Sequence, residues 1–129
     1  SALGRPEPRV PLAGPPGSGA LLSLEGYEEA YTSVAGPTWR NEVGAGIGAE
    51  LGSFRPGAHA AELADLPVLV QIADLDRSAP PHAAATAAFA ARAEVRHYPG
   101  DHFDVFPGRP CHERAVAHAV LFLRRHVPA

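Results

Sequence analysis

The sequence predicts an α/β fold, and this prediction depends on two strands and two helices in its second half. Residues 68–73 form an almost continuous apolar run of strand length, the pattern of a strand covered on both faces in a parallel sheet. Residues 94–98 form a short second strand, and residues 112–127 carry apolar side chains at helical spacing. This is the order of a β-α-β-α unit, whose crossover we expect to be right-handed.

The first half of the chain predicts less regular structure. Pro and Gly crowd residues 1–20, which we interpret as an extended connection. Apolar side chains near helical spacing predict a helix over residues 20–35, ended by Gly36-Pro37. Residues 44–52 contain too many glycines for a helix, and a short helix is predicted from Ala58 to Ala64.

The segments between the strands complete the predicted organisation of the second half. Residues 74–81 form a polar loop, and the Ala-rich residues 82–92 suit a helix packed closely on a sheet. Residues 99–110 form a second loop before the final helix. We therefore divide the chain into residues 1–62, an extended connection with a mostly helical segment, and residues 63–129, which contain the β-α-β-α unit.

Charge and cysteine content limit the classes of function. The chain has 129 residues, a formal net charge of −3 and a single cysteine, Cys111. This charge leaves no electrostatic footprint for nucleic acid or anionic lipid, so we expect neither a nucleic-acid nor a membrane partner. One cysteine excludes an internal disulfide and a zinc site of several thiolates, and we expect Cys111 to be inert. The sequence has no signal-peptide segment and no membrane-spanning apolar run, which predicts a cytoplasmic protein.

Two observations predict that the sequence is part of a longer protein. It contains no Met. In addition, two parallel strands do not form an independently stable sheet, and both predicted strands have the character of core strands. We therefore expect the rest of the sheet to come from an N-terminal half of the same parent or from a second copy of this chain.

The loops that follow the two strands carry the candidate functional residues. In open parallel sheets, functional groups gather at the carboxyl ends of strands, and neighbouring parallel strands bring these ends to one edge. The first loop contains Asp74 and Asp76, and the second contains Asp101, His102 and Asp104. We predict that Asp76 and His102 meet although they lie far apart in the sequence.

The motifs in these loops resemble those of a known family. A strand followed by a small residue and x-x-Asp-x-x-Ala/Val-Pro, here Ala73 to Pro80, resembles the way in which α/β-hydrolases present the acid of their catalytic triad. Tyr-Pro-Gly-x-His-Phe-Asp from residue 98 to 104, followed by a long final helix, is similar to their histidine motif. The resemblance implies that Asp76 orients His102, which takes a proton from a serine and returns it to the leaving group. It implies ester hydrolysis, or less commonly amide or peptide hydrolysis, of a small-molecule substrate without a cofactor.

The upstream half departs from the family pattern. The segment closest to a G-x-S-x-G nucleophile motif is Pro16-Gly17-Ser18-Gly19-Ala20, which has Pro and Ala at the outer glycine positions and no convincing strand before it. We therefore expect the nucleophile and the oxyanion hole to lie outside this chain. The resemblance covers roughly residues 60–127 and extends into residues 10–60, which resemble the connection and helical cap of bacterial esterase- or peptidase-like hydrolases. Residues 1–62 are accordingly interpreted as the connection and cap segment. The aromatic residues Tyr27, Tyr31, Trp39 and Phe54 would line a pocket or form the cap's own core.

Three alternatives stay open. Asp74 is a rival for the triad acid, because it comes directly off the strand, but the spacing to Pro80 favours Asp76. A metal site is a different interpretation of residues His97, Asp101, His102 and Asp104, although no H-x-x-x-H helix supports it. A chain without a nucleophile could also be an inactive fragment that complements another half or associates with itself. His97, His112, His118 and His126 are interpreted as solvated residues on a strand and a helix, and Asp104 as a residue that bonds loop amides.

Overall fold

The computed structural model describes residues 7–127, which form a mixed fold of helices and short strands in two two-stranded sheets. The strands are β1 (Arg9–Val10), β2 (Val43–Gly44), β3 (Leu69–Ala73) and β4 (Glu94–Tyr98). The helices are α1 (Tyr27–Val34), α2 (Ile47–Leu51), a 3-10 helix (Pro56–Leu63), α3 (Pro81–Ala90) and α4 (His112–His126). The chain divides into two compact units between Phe54 and Arg55, not between residues 62 and 63, because the 3-10 helix packs against α3.

Residues 7–20 of the predicted extended connection lie within the described part of the chain, and two of them form a strand. In the first unit β1 pairs antiparallel with β2, and Val10 lies opposite Val43. The side chain of Asn41 reinforces this unit. Its Oδ1 accepts the backbone N–H of Ala13 at 2.8 Å, and its Nδ2 donates to the Ala13 carbonyl at 2.7 Å. The two bonds replace the partners that an irregular backbone otherwise lacks.

The helix predicted over residues 20–35 is shorter than expected. It begins at Tyr27, because Gly26 adopts a left-handed conformation with φ +82° that a helix cannot continue through. Before it, Leu22 donates its backbone N–H to Leu12 at 2.8 Å, so residues 20–26 are not helical. Helix α1 buries Tyr27 and Ala30, which form the core side of the helix.

The prediction of no helix in the glycine-rich segment was wrong, since residues Ile47–Leu51 form α2. Its first turn is supported from outside by Glu7, whose Oε1 accepts the N–H of Gly46 at 2.7 Å. A carboxylate at this end of a helix binds an unpaired N–H group and complements the helix dipole.

Of the aromatic residues expected in a pocket or core, Tyr27 is buried, whereas Phe54 is 66% exposed.

The second unit contains the β-α-β-α order that the sequence predicts. Strands β3 and β4 pair in parallel, with Gln71 opposite Arg96 and Ala73 opposite Tyr98. Helix α3 packs against β3 and β4, and α4 packs against β3. Because side chains alternate between the faces of a strand, Gln71 and Tyr98 share the α4 face while Ile72 lies on the other. The carboxyl ends of both strands therefore lie at one edge of this sheet.

A network of hydrogen bonds joins α4 to this sheet. Gln71 Nε2 donates to the Tyr98 hydroxyl and to the Ala115 carbonyl, each at 2.8 Å. The same hydroxyl lies 2.8 Å from His118 Nδ1, and Tyr98 is completely buried. Further along the helix, Arg125 binds Glu94, and this hydrogen bond, aided by Arg96, lowers the pKa of the Glu94 carboxyl despite its partial desolvation.

The apolar side chains at helical spacing on α4, its apolar stripe, do not pack on β3 and β4. Val116, Val120, Leu123 and Val127 are exposed, and the buried residues of the helix are Ala115 and Phe122. The hydrogen bonds of Ala115 and His118 orient the helix, and they point the apolar stripe away from β3 and β4. No helix within residues 7–127 is both long and apolar enough to cross a membrane.

Candidate active site

The acid loop, residues 74–80, holds Asp76 by its own backbone. Oδ1 of Asp76 accepts the N–H groups of Ser78 at 2.8 Å and Ala79 at 2.7 Å. Such side-chain bonds to amides two and three residues ahead are typical of Asp in turns. Only 10% of the Asp76 side chain is exposed. The carboxylate is therefore fixed in direction, with its second oxygen available to one neighbour.

That neighbour is His102, as the parallel arrangement of the strands predicts. Its Nδ1 lies 2.8 Å from Oδ2 of Asp76, and 30% of the His102 side chain is exposed. An ionised carboxylate can only accept a hydrogen bond, so Nδ1 of a neutral His102 carries the proton. Nε2 is then the basic nitrogen of the ring, which is the form required of a general base.

The histidine loop, residues 99–104, is shaped by Asp104. Its Oδ2 accepts the N–H of Asp101 at 2.7 Å, so Asp104 bonds a loop amide as predicted. A Cβ atom on Gly100 would lie 2.7 Å from Cβ of Asp104, which only a glycine avoids. The ring of Phe103 meets that of His102 edge-on, with centroids 5.1 Å apart. Phe103 is buried, so one side of the imidazole has an apolar wall.

Asp101 links the two loops and was not predicted to have this role. Its Oδ1 accepts the N–H of Arg77 at 3.0 Å and that of His102 at 2.8 Å, and its Oδ2 pairs with Arg77 Nε. Desolvation opposes ionisation of this carboxyl, but the two amides and the guanidinium together hold its pKa below the usual value. The sequence feature that could have indicated this role is the position of the two residues, because Arg77 follows Asp76 directly and Asp101 precedes His102.

Asp74, the rival acid, binds a different histidine. Its Oδ1 lies 2.7 Å from Nδ1 of His97, and about half of each side chain is exposed. The prediction that His97 is a solvated residue was incomplete, because its half-exposed ring also binds a carboxylate. His97 lies on the α3 face of β4, where it lines a groove of about 780 Å³ together with Phe89 and Arg92. The lining of this groove includes neither Asp76 nor His102.

The other predicted candidates are not gathered at the site. His118 binds Tyr98, and His112 Nδ1 lies 3.0 Å from the Val105 carbonyl oxygen, so neither is simply solvated. Cys111 is buried against Tyr98 and Ala115. Within residues 7–127, no three His, Cys, Asp or Glu side chains converge as metal ligands would. The interpretation of His97, Asp101, His102 and Asp104 as one metal site therefore has no geometric support.

Ser18 lies in the first unit, in a turn rather than at a nucleophile elbow. Gly17 and Gly19 on either side have φ values of +80° and +78°. The Ser18 N–H donates to the Pro15 carbonyl at 3.1 Å, and its Oγ accepts the N–H of Ala20 at 3.3 Å. A nucleophile elbow connects a strand directly to a helix, whereas α1 begins only at Tyr27.

Comparisons with models of protein families, with curated proteins and with solved structures give no match for this chain. The arrangement of Asp76 and His102 is therefore the observation from which function is inferred.

Proposed function

We propose that this chain is the C-terminal part of a serine hydrolase of the α/β-hydrolase type, in which Asp76 and His102 are two members of the catalytic triad. The observation that carries the proposal is the hydrogen bond of 2.8 Å between Asp76 and His102, placed after two adjacent parallel strands. The nucleophile is a serine carried by a segment outside this chain. The substrate is an ester, or less commonly an amide or peptide, and no cofactor takes part.

The chemistry follows from the hydrogen-bond directions. With its proton on Nδ1, His102 uses Nε2 to remove the proton of the serine hydroxyl as its oxygen attacks the substrate carbonyl. Asp76 stabilises the imidazolium that forms, and two backbone amides hold Asp76 in place. His102 then protonates the leaving group, which departs from an acyl-enzyme that water hydrolyses. The wall formed by Phe103 limits the orientations open to the ring.

The unpaired sheet edges and the exposed apolar side chains of the second unit support the proposal that another polypeptide segment packs there. Within residues 7–127, strands β3 and β4 pair only with each other. The outer edges of this sheet therefore have no further strand among these residues, and such edges are sites where another strand can pair. The exposed Val116, Val120 and Leu123 of α4 add an apolar surface beside it. An N-terminal half of the same parent, or a second copy of this chain, would supply the strands and cover this surface.

A second candidate function uses the same surfaces without chemistry. The exposed apolar stripe of α4 and the open sheet favour an inactive module that complements another chain or associates with itself. Size-exclusion chromatography with light scattering distinguishes the two forms of this candidate. A stable dimer of the chain alone favours self-association, and a monomer favours complementation.

A fluorophosphonate probe tests the proposed function. Intact-mass analysis is performed on the chain alone and on the parent in which the upstream sequence is joined to it. We expect no adduct on the chain alone and one adduct in the upstream part of the parent. In the parent, His102→Ala is expected to slow labelling by at least about 10³-fold, whereas the matched variant His97→Ala leaves it within a few fold. An adduct on a serine of this chain, or full labelling of His102→Ala, would contradict the proposal.

A further inference from the structure

The carboxylate of Asp101 lies between the acid loop and the histidine loop. One of its oxygens accepts two backbone N–H groups, from Arg77 and from His102, and the other pairs with the Arg77 side chain. The Asp101 side chain is 26% exposed, so these bonds are partly shielded from water. Its backbone is held in turn, because the N–H of Asp101 donates to Asp104.

Each of these bonds reaches a residue of the Asp76–His102 pair or its direct neighbour. Arg77 follows Asp76 in the chain, so fixing its N–H also fixes the carbonyl side of Asp76. The N–H of His102 belongs to the pair itself. A few tenths of an ångström in loop position decide whether Nδ1 and Oδ2 stay within hydrogen-bond distance. Asp101 therefore ties together the two backbone segments whose separation sets that distance.

We propose that Asp101 is a positioning residue that holds the acid loop and the histidine loop together, so that Asp76 orients His102. Its consequence for catalysis rests on the proposed function. The loop contact itself does not, and it can be measured in the chain as it exists.

The partner of Asp101 also explains why the site tolerates a second carboxylate beside His102. Arg77 neutralises Asp101 and occupies its Oδ2, so that Asp76 is the carboxylate bound to the imidazole. Desolvation opposes ionisation of Asp101, but the two amides and the guanidinium of Arg77 outweigh it and hold the pKa of this carboxyl below its usual value. Asp101 is therefore an acceptor throughout the neutral pH range.

The test is nuclear magnetic resonance of the full chain. It records amide hydrogen exchange at Arg77 and His102, and the ring Nδ1–H proton of His102. Asp101→Ala removes every bond from Asp101. Asp101→Asn keeps an oxygen for both amides but loses the charge that binds Arg77, and Arg77→Ala removes the same side-chain bond from the other side. The exposed Asp65→Ala removes an equal charge elsewhere and serves as the control.

The second Asp–His pair gives an internal reference within the same unit. Asp74 and His97 meet at the end of β3 and β4 without any described bond to Asp101. In Asp101→Ala we expect exchange at Arg77 and His102 to rise at least about tenfold and the Nδ1–H signal of His102 to be lost, while the His97 signals stay. Asp101→Asn and Arg77→Ala should give the same change at smaller size, and they decide the test if Asp101→Ala does not fold.

Unchanged exchange and an unchanged His102 signal in Asp101→Asn and Arg77→Ala would overturn the inference and leave the proposed function intact. Equal disturbance of His97 and His102 in those variants would overturn it too, because the effect would then not be local. In the parent, Asp101→Asn should lower kcat with little change in KM. If the variants loosen His102 but the parent never labels with a fluorophosphonate, the loop contact stands and the proposed function fails.

Discussion

His102 Nδ1 lies 2.8 Å from Asp76 Oδ2, across a sequence separation of 26 residues. The other oxygen of Asp76 is occupied by two backbone N–H groups, so the carboxylate has one orientation towards the imidazole. Asp74, two residues earlier, binds His97 instead. Among the described residues, this edge of the sheet carries two acid–histidine pairs, and Asp101 bonds the backbone N–H groups of His102 and of Arg77, which follows Asp76.

The first prediction distinguishes Asp76 from Asp74 as the acid that orients His102, and it uses the position of the proton on the His102 ring. In Asp76→Asn the amide oxygen keeps the N–H bonds of Ser78 and Ala79, so its NH₂ group faces Nδ1 of His102. Two donors repel, and the proton of His102 should move to Nε2. Long-range ¹⁵N correlation spectra of the ring nitrogens measure this change. In the parent, we expect ester hydrolysis to fall by about 10³- to 10⁴-fold.

Asp74→Asn is the matched control for that experiment. It should alter the ring signals of His97, leave those of His102 unchanged and reduce hydrolysis by less than about tenfold. If Asp74→Asn moved the proton of His102 and Asp76→Asn did not, the two acids would exchange roles.

The contact of Asp76 with His102 was predictable from sequence, because parallel strands bring their carboxyl ends to one edge whatever their side chains are. The bonds of Asp101 were not, because loop hydrogen bonds depend on backbone directions that residue spacing does not encode. The face that α4 turns to the sheet could not be predicted from sequence for a related reason. Helical periodicity locates an apolar stripe, but here the bonds of Gln71 and Tyr98 to Ala115 and His118 decide which side meets the sheet.

The second prediction concerns acid pH and follows from the lowered pKa of Asp101. Although desolvation opposes ionisation, the amides of Arg77 and His102 and the guanidinium of Arg77 make the folded chain bind this proton more weakly than the unfolded chain. The stabilisation is therefore fully present above the unfolded value of about 3.9, and it is lost as pH falls through the lower folded value. Urea unfolding of the wild type and Asp101→Asn between pH 3 and pH 7 measures it.

We expect the difference in free energy of unfolding between wild type and Asp101→Asn to shrink as pH falls towards 3. Asp65→Asn, an exposed acid, should show a flatter difference over the same range. If this difference in free energy of unfolding instead grew as pH fell, the assignment of these bonds to an ionised carboxylate would be contradicted.

The third prediction uses the strained end of α3. Arg92 has φ +52°, a left-handed conformation, and Ala93 donates its N–H to Ala88 at 2.9 Å, which completes a Schellman-type helix end. The position favours glycine, since a side chain in this conformation costs about 1–2 kcal/mol. After the greater flexibility of unfolded glycine is subtracted, Arg92→Gly should raise the free energy of unfolding by about 0.5–1 kcal/mol.

Ala85→Gly, within the same helix and exposed, is the matched control. It should lower the free energy of unfolding by about 0.5–1 kcal/mol, because glycine in a helix interior adds only unfolded-state entropy. Thermal and urea unfolding of both variants give opposite signs if the strain at Arg92 is real. A destabilised Arg92→Gly would show that its side chain contributes more than the strain costs.

The fourth prediction concerns Gly100, the glycine of the histidine loop. A Cβ atom there would lie 2.7 Å from both Cβ and Oδ2 of Asp104, too close for the loop to remain as it is. Gly100→Ala should displace Asp104 from the N–H of Asp101 and destabilise the chain by about 1–3 kcal/mol. At Gly57 an added Cβ meets only Ala87, at an ordinary 3.8 Å, so Gly57→Ala should stay within about 0.5 kcal/mol of wild type. Equal unfolding free energies for both variants would mean that the histidine loop is not held in this form.

The last prediction tests the network that docks α4. The Tyr98 hydroxyl is buried between Gln71 Nε2 and His118 Nδ1, and Gln71 has a second acceptor in the Ala115 carbonyl. Since Gln71 Nε2 donates to the hydroxyl, the hydroxyl donates in turn to an unprotonated His118 Nδ1. Tyr98→Phe should lower the free energy of unfolding by about 1–2 kcal/mol, because it removes this donor while Gln71 keeps one of its partners.

A double-mutant cycle with His118→Leu isolates the bond between the two side chains. Urea unfolding of Tyr98→Phe, His118→Leu and the double variant should give a coupling energy of about 1 kcal/mol. His118→Gln, whose amide oxygen can accept from the hydroxyl, should keep part of that coupling. Strictly additive effects would mean that the hydroxyl and the imidazole do not share a proton in solution, and the docking of α4 would then depend on Gln71 and Ala115 alone.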